Sequence, residues 1–180
     1  MRYRILGATE AYDEQGAPLP VGGRRLRALL AVLALRADRT VPADTLIDEV
    51  WARDEPPADA PAALQALVGR LRRALGKDAV VSESGGYRLA ATPEDVDLHR
   101  FERLVREGKA ALQRDDPESA ARTLREAHAL WRGPPGASRG AGASRAAGAS
   151  RAAGAVRAAG AVRAAGAVRA AGAARAPGTA

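Results

Sequence analysis

Residues 62–75 read Ala62-Ala63-Leu64-Gln65-Ala66-Leu67-Val68-Gly69-Arg70-Leu71-Arg72-Arg73-Ala74-Leu75, and this stretch decides the fold. At about 100° per residue, Leu64, Leu67, Val68, Leu71 and Leu75 share one arc of about 100°. The spacing predicts a helix with one buried face, ended by Gly76. The opposite side carries Ala62, Gln65, Ala66, Gly69, Arg70 and Arg73, with Arg72 on the flank. No acid occurs between Ala60 and Lys77, so this side is small, polar and positive. Just downstream, Val80-Val81, a Gly85-Gly86 turn and Tyr87-Arg88-Leu89 predict a β-hairpin.

Upstream, Leu26, Leu29, Leu30 and Leu33 predict an amphipathic helix over 24–37. Leu46, Ile47, Val50 and Trp51 predict another over 45–51, with Pro42 suited to a helix start. Residues 39–41 form an extended link, and 53–61, with Pro56, Pro57 and Pro61, a loop. Short strands are expected at 3–6, 10–13 and 18–21, punctuated by Gly7, Gly16 and Gly22-Gly23. Three helices followed by a hairpin, with a small antiparallel sheet ahead, make an α+β winged helix-turn-helix. Beyond Pro93 the pattern is helical. Asp97 is placed to cap a helix whose Leu98, Phe101, Leu104, Val105 and Leu112 share a face. Asp116-Pro117 opens a second, striped by Ala120, Leu124, Ala127 and Trp131, which predicts a TPR-like helical hairpin. Such a hairpin, about 40 residues long, buries too little to stand alone. It is expected to pack on the winged helix, dimerise or fray.

The polar side of 62–75 suits the major groove of DNA. Small residues (Ala66, Gly69) admit the helix backbone, Gln65 pairs with adenine, and Arg70, Arg72 and Arg73 meet guanine or phosphates. Residues 64–92 carry Arg70, Arg72, Arg73, Lys77 and Arg88 against Asp78 and Glu83. An ordinary helix with a solvated basic face has the same periodicity, and a plain structural hairpin the same turn. Arg88 on the hairpin tips the balance towards a wing that touches phosphate or the minor groove. Arg24 and Arg25 are expected to approach phosphates.

Net charge gives no such support. The chain of 180 residues has 28 Lys+Arg and 21 Asp+Glu, a net of +7. Residues 133–180 hold seven of the Arg and no acid, so residues 1–132 are neutral overall. From Arg139 to Arg175 this tail repeats Arg-x-Ala-Gly-Ala-Ser/Val. Six residues advance a helix by about 240° beyond a full turn, so no apolar face builds, and each unit carries a Gly. Residues 136–180 are therefore read as a low-complexity extension, disordered or weakly helical. A solvated extension without a role, a non-specific DNA arm and the product of a truncated or frameshifted gene are the three readings. The last, combined with the first, is favoured.

Other classes are disfavoured. There is no Cys, hence no disulfide or thiolate site. The two His, His99 and His128, are too few for a His-built metal site and are expected on helix surfaces. The six aromatics do not make a single-strand stacking platform. The longest apolar run, 28–35, is too short for a membrane span. Arg24-Arg25 resembles a twin-arginine signal, but it stands behind Glu10, Asp13 and Glu14 and lacks a cleavage site. A cytoplasmic protein is expected. No nucleophile–base pair or catalytic carboxylate pair is evident, so no enzyme, metal or cofactor is expected.

Several further motifs stand in order. They are Arg4-Ile5-Leu6-Gly7, Arg25-Leu26-Arg27-Ala28-Leu29-Leu30-Ala31, Leu46-Ile47-Asp48-Glu49-Val50-Trp51, Val68-Gly69-Arg70-Leu71-Arg72-Arg73-Ala74-Leu75-Gly76 and Gly86-Tyr87-Arg88-Leu89. Val96-Asp97-Leu98-His99-Arg100-Phe101 and Leu130-Trp131-Arg132-Gly133-Pro134 follow. Over about 1–135 the chain resembles the AfsR/SARP regulators, the Streptomyces antibiotic regulatory proteins. The resemblance implies an OmpR/PhoB-type winged-helix DNA-binding domain over 1–92. It implies the truncated start of a bacterial transcriptional activation domain over 93–135. It further implies double-stranded DNA with promoter direct repeats, RNA polymerase as a partner, a homodimer on tandem repeats, and activation of antibiotic biosynthesis genes. The polymerase would meet the loop 52–61 through Asp54, Glu55 and Asp59, although an acidic loop is equally a solvated one. Ala63, Gly69 and Leu67 stand where the family often has Thr, Ser or an aromatic, so weak base discrimination is expected. The Lys-Ser/Thr phosphate loop of large family members is absent. A non-enzymatic adaptor working through the helical hairpin, or a truncated competitor that binds DNA without activating, is the alternative.

Overall fold

The computed structural model describes residues 1–52 and 54–133. An antiparallel sheet comes first, in the order β1 (Arg2–Arg4), β2 (Glu10–Tyr12), β3 (Pro18–Leu19). Tyr3 faces Ala11 across it, and strand alternation turns both inward, where both are buried. The strand expected over 3–6 stops at Arg4. Ile5 and Leu6 are fully buried, and their backbone N–H groups turn away from the ladder to the Asp97 carboxylate.

α1 (Arg24–Leu35) buries Leu26, Leu29, Leu30 and Leu33 as expected, and also Val32, Ala34 and Leu35. A helix buried over that much of its circumference sits within the fold, not on its surface. It ends two residues earlier than the pattern to residue 37 suggested. Arg36 N–H and Ala37 N–H bond to Leu33 and Ala34, three residues back, and Asp38 is left-handed at φ 60°.

The extended link becomes β4 (Val41–Pro42), followed by α2 (Ala43–Val50) and α3 (Ala60–Leu75). α3 starts two residues before the position read from the sequence. The Asp59 carboxylate accepts the Ala62 N–H at 3.0 Å, and Pro61 belongs to the first turn, where its missing N–H costs nothing. Leu64, Leu67, Val68, Leu71 and Leu75 are all buried, and the helix stops at Gly76 with φ 105°. The wing is β5 (Val80–Glu83) and β6 (Gly86–Leu89), and β4 completes a second antiparallel sheet in the order β4-β6-β5.

Gly86 makes that sheet possible. A Cβ there would stand 2.1 Å from the Val41 carbonyl oxygen and 3.1 Å from Pro42 Cα, both backbone atoms that cannot swing aside. Gly86→Ala is therefore expected to separate β4 from β6 and cost about 1–3 kcal/mol of stability, measurable by urea denaturation. An unchanged midpoint would show that the strand pair yields without cost.

α4 (Asp97–Gln113) and α5 (Pro117–Leu130) form the expected hairpin. Asp116 caps α5 by accepting the Ser119 N–H at 3.0 Å. Three expectations need correction. Asp97 does not cap α4: its carboxylate accepts the Ile5 N–H at 2.7 Å and the Leu6 N–H at 3.2 Å. Leu112 is 50 % exposed, because the inner face passes through Gly108 and Ala111 instead. The helices approach closely there, as a Cβ on Gly108 would stand 2.7 Å from the Leu124 side chain. His99 is not a surface residue: it is half-buried, with Nε2 3.2 Å from the Ala34 carbonyl oxygen and Nδ1 3.7 Å from Glu102. His128 is exposed, as expected.

The hairpin packs on the winged helix. Leu98, Phe101, Leu104, Val105, Leu124 and Ala127 share one buried cluster with Tyr3, Ile5, Leu30 and Leu71. Tyr3 also bridges Val96 in parallel, and Phe101 meets the Trp131 ring with centroids 5.7 Å apart. The tail expected to be disordered over 136–180 lies outside the described residues.

Candidate nucleic-acid interface

α3 sorts its arginines into two kinds. Arg70 and Arg73 are exposed, and neither has a hydrogen-bond or ion-pair partner among the described residues. Gln65 and Ala66 are exposed on the same side, and Gly69 is half-exposed between them. Arg72 behaves differently. Its Nε donates to the Val80 carbonyl at 2.8 Å and its Nη2 to the Ser82 hydroxyl at 2.9 Å. Arg72 thus ties α3 to the wing and is engaged within the fold, in contrast to Arg70 and Arg73.

Gly69 opens onto solvent on the helix side that carries Arg73, whose Nη1 would lie 3.9 Å from a Cβ there. No backbone stands in the way. Gly69→Ala is expected to stabilise α3 by about 1 kcal/mol and, if this is the side that approaches the bases, to weaken DNA binding, because the methyl would stand there. Thermal melting and a DNA shift assay on the same variant check both halves. A variant gaining stability without losing affinity would remove Gly69 from the contact surface.

Arg88 is also engaged. It donates to Glu83 at 2.6 Å and to Asp38 at 3.2 Å, while Glu83 in turn accepts the Thr40 hydroxyl. The hydrogen bond from Thr40, and then that from Arg88, hold the Glu83 carboxyl below its usual range, and the Glu83 bond raises Arg88 further. One cation between two carboxylates leaves no net positive charge on this part of the wing. Two of the Arg88 N–H donors are thus committed within the fold.

The N-terminus of α1 brings Arg24 and Arg25 to the same Asp54 carboxylate, Arg25 at 3.5 Å. The Arg25 guanidinium also lies over the Trp51 ring, 5.6 Å from its centroid. Beside them run two adjoining hollows of about 290 and 330 Å³ that share Gly22, Leu26 and Arg70. Arg24 and Arg25 line the first, and Pro20, Arg73 and Ala74 the second. Arg24, Arg25, Arg70 and Arg73 therefore flank one concave surface between α1 and α3, and the sequence-predicted cations separate into this group and Arg72 and Arg88, which are bonded to or within the wing.

The acidic loop is correspondingly divided. Asp54 is held by Arg24 and Arg25, Asp59 caps α3, and of the three only Glu55 is exposed with neither a hydrogen bond nor an ion pair among the described residues. Sequence reasoning missed Asp54 as the partner of Arg24 and Arg25 and Asp38 as a partner of Arg88, because these pairs span 29 to 50 residues and carry no spacing signal; the Arg88–Glu83 pair, five residues apart across the hairpin, was missed as well. Among the described residues no group of acids and His is arranged to hold a metal ion, and no helix is long and apolar enough to cross a membrane.

Two families match. Residues 21–89 fit the family described as "Transcriptional regulatory protein, C terminal", and residues 96–176 the "Bacterial transcriptional activator domain". The second match runs past Pro134, where the motifs read from the sequence end, and over the whole repeat from Arg139 to Arg175. Regulatory protein DnrI of Streptomyces peucetius is 36% identical over 144 residues, covering 74% of this chain and 52% of that protein. Regulatory protein AfsR of Streptomyces coelicolor is 40% identical over 134 residues, 74% of this chain and 13% of that one. The solved structure of Mycobacterium tuberculosis EmbR in complex with low affinity phosphopeptide has a TM-score of 0.68 at 32% identity, over 75% of this chain and 37% of that one. The chain thus spans about half the length of DnrI and a much smaller part of AfsR.

Proposed function

The chain belongs to the SARP family of DNA-binding transcriptional regulators, its two matched domains being regulatory and not enzymatic, and from that premise we propose that it is a sequence-specific activator of secondary-metabolite (antibiotic) biosynthesis genes. It works in the cytoplasm. Residues 1–92 bind promoter direct repeats as double-stranded DNA, with two copies on tandem sites, and the segment that begins at residue 93, with its α4–α5 hairpin, serves activation through RNA polymerase. α3 enters the major groove with Gln65, Ala66, Gly69, Arg70 and Arg73 towards the bases, and Arg24 and Arg25 towards a flanking phosphate.

The observation that carries this reading is the pair of unpartnered guanidiniums, Arg70 and Arg73, on the exposed side of a helix that is otherwise buried. Phosphate contacts fix register, whereas base contacts specify. Exposed cations beside Gln65, on a surface narrow enough to enter the groove, can do both. Arg72 and Arg88 are assigned lesser parts, since both are already bonded within the fold. Selection of bound DNA from a random pool by the full chain tests the reading. A recovered direct repeat supports it, and a pool that stays random at physiological salt overturns it.

A further inference from the structure

Asp54 occupies a position that the proposed function reserves for DNA. Arg24 and Arg25 stand at the start of α1 beside the hollow that Arg70 closes, and both direct guanidinium groups to one Asp54 oxygen. A carboxylate bonded by two arginines presents the same chemistry as a backbone phosphate oxygen in the same place. This anion comes from the loop between α2 and α3, about 30 residues away in sequence. All three side chains remain partly in solvent, at 47 %, 47 % and 32 % exposure, so the pairs exchange readily with an outside anion.

We propose that Asp54 is an internal stand-in for a DNA phosphate, held by Arg24 and Arg25 in the free protein and displaced when the duplex docks. The inference rests on the reading of α3 as the groove-binding helix. Two consequences follow from one exchange. In the free protein Asp54 weakens the hold of Arg24 and Arg25 on any phosphate, which restrains non-specific binding, the mode that depends on backbone charge alone. In the bound protein Asp54 is released into the α2–α3 loop beside Glu55, which raises the free negative charge of that loop. By reciprocity, a basic protein surface that takes up Asp54 frees the two arginines and tightens DNA binding to the same extent. The loop and the DNA face are then coupled through a single carboxylate.

The test uses the full chain with a short random-sequence duplex and with a duplex recovered by selection. Asp54→Asn keeps the shape and removes the charge. Expected is a gain of roughly two- to fivefold in affinity for the random duplex, with a steeper salt dependence approaching about one more phosphate. Glu55→Gln, the same change of charge one residue along, is expected to give a smaller gain, and Asp54→Glu to restore the parent affinity. In an Arg24→Ala/Arg25→Ala background the Asp54→Asn gain is expected to vanish. Equal gains from Asp54→Asn and Glu55→Gln would reduce the effect to overall charge and overturn the proposal. So would a loss of affinity in Asp54→Asn, which would make Asp54 an organiser of the arginines. These outcomes differ from failure of the parent reading, in which the unmodified chain would bind neither duplex.

Discussion

Replacing Arg70 and Arg73 together with alanine is expected to weaken DNA binding by roughly a hundredfold or more, and to leave the melting temperature almost unchanged. An arginine that makes a good bidentate contact to guanine contributes about 1–3 kcal/mol of discrimination, and two in one helix should approach additivity if they read separate bases. Nothing within the described fold depends on either side chain, since both are exposed and without a bonded partner there. Arg72 supplies the contrast. Its alanine variant is expected to lower stability first, because the Val80 carbonyl and the Ser82 hydroxyl lose their donor. The salt dependence then separates two modes for Arg70 and Arg73. A slope that falls by about 0.9 for each arginine removed marks phosphate contact, and an unchanged slope with relaxed sequence preference marks base contact. A double variant that binds the selected duplex as the parent does would move the interface away from α3.

The buried side of α3 was legible because helical periodicity translates directly into burial, and Leu64, Leu67, Val68, Leu71 and Leu75 all lie inside. The wing was legible for a different reason, from its apolar pairs and glycine turn. Which cations stay free was not. Arg72 and Arg73 are neighbours in sequence and almost equivalent by composition, yet the rotation of about 100° between them turns one towards Val80 and Ser82 and the other towards solvent. Arg88 and Asp38 are 50 residues apart, and Arg24 and Asp54 are 30 apart. Such pairs exist only after the chain has folded, and no local pattern announces them. Leu112 failed in the opposite way: its spacing put it on the face of Leu98, Phe101, Leu104 and Val105, but the inner stripe runs through Gly108, where α5 lies close, and Ala111.

Asp97 illustrates the same limit and carries the second large effect. Its place at the start of α4 reads as a cap, yet the cap sites of its own helix go unused. The carboxylate, 8 % exposed, gathers the Ile5 and Leu6 N–H groups and the Arg132 guanidinium, which also reaches Glu10 at 2.9 Å. One residue thus joins the end of β1, the start of α4 and the segment after α5. Asp97→Ala leaves two N–H groups and part of Arg132 without an acceptor, in a place where water does not easily replace it. The expected cost is about 3–5 kcal/mol, a fall in melting temperature of roughly 10 °C or more. Asp97→Asn retains an acceptor oxygen and should cost markedly less. The pH dependence identifies the group. Burial raises the Asp97 pKa above its ordinary value, against the opposing pull of the Ile5 N–H, Arg132 and the Leu6 N–H. Between the unfolded value, about 3.9, and the raised native value, the native state therefore binds more protons than the unfolded one. Stability attributable to Asp97 is full below that window, falls as pH rises through it, and is level above. In Asp97→Asn that component is expected to disappear from the stability–pH curve measured by urea denaturation. A variant that keeps the slope would assign it to another carboxylate, and an Asp97→Ala protein melting with the parent would show that the hairpin is held by its apolar core alone.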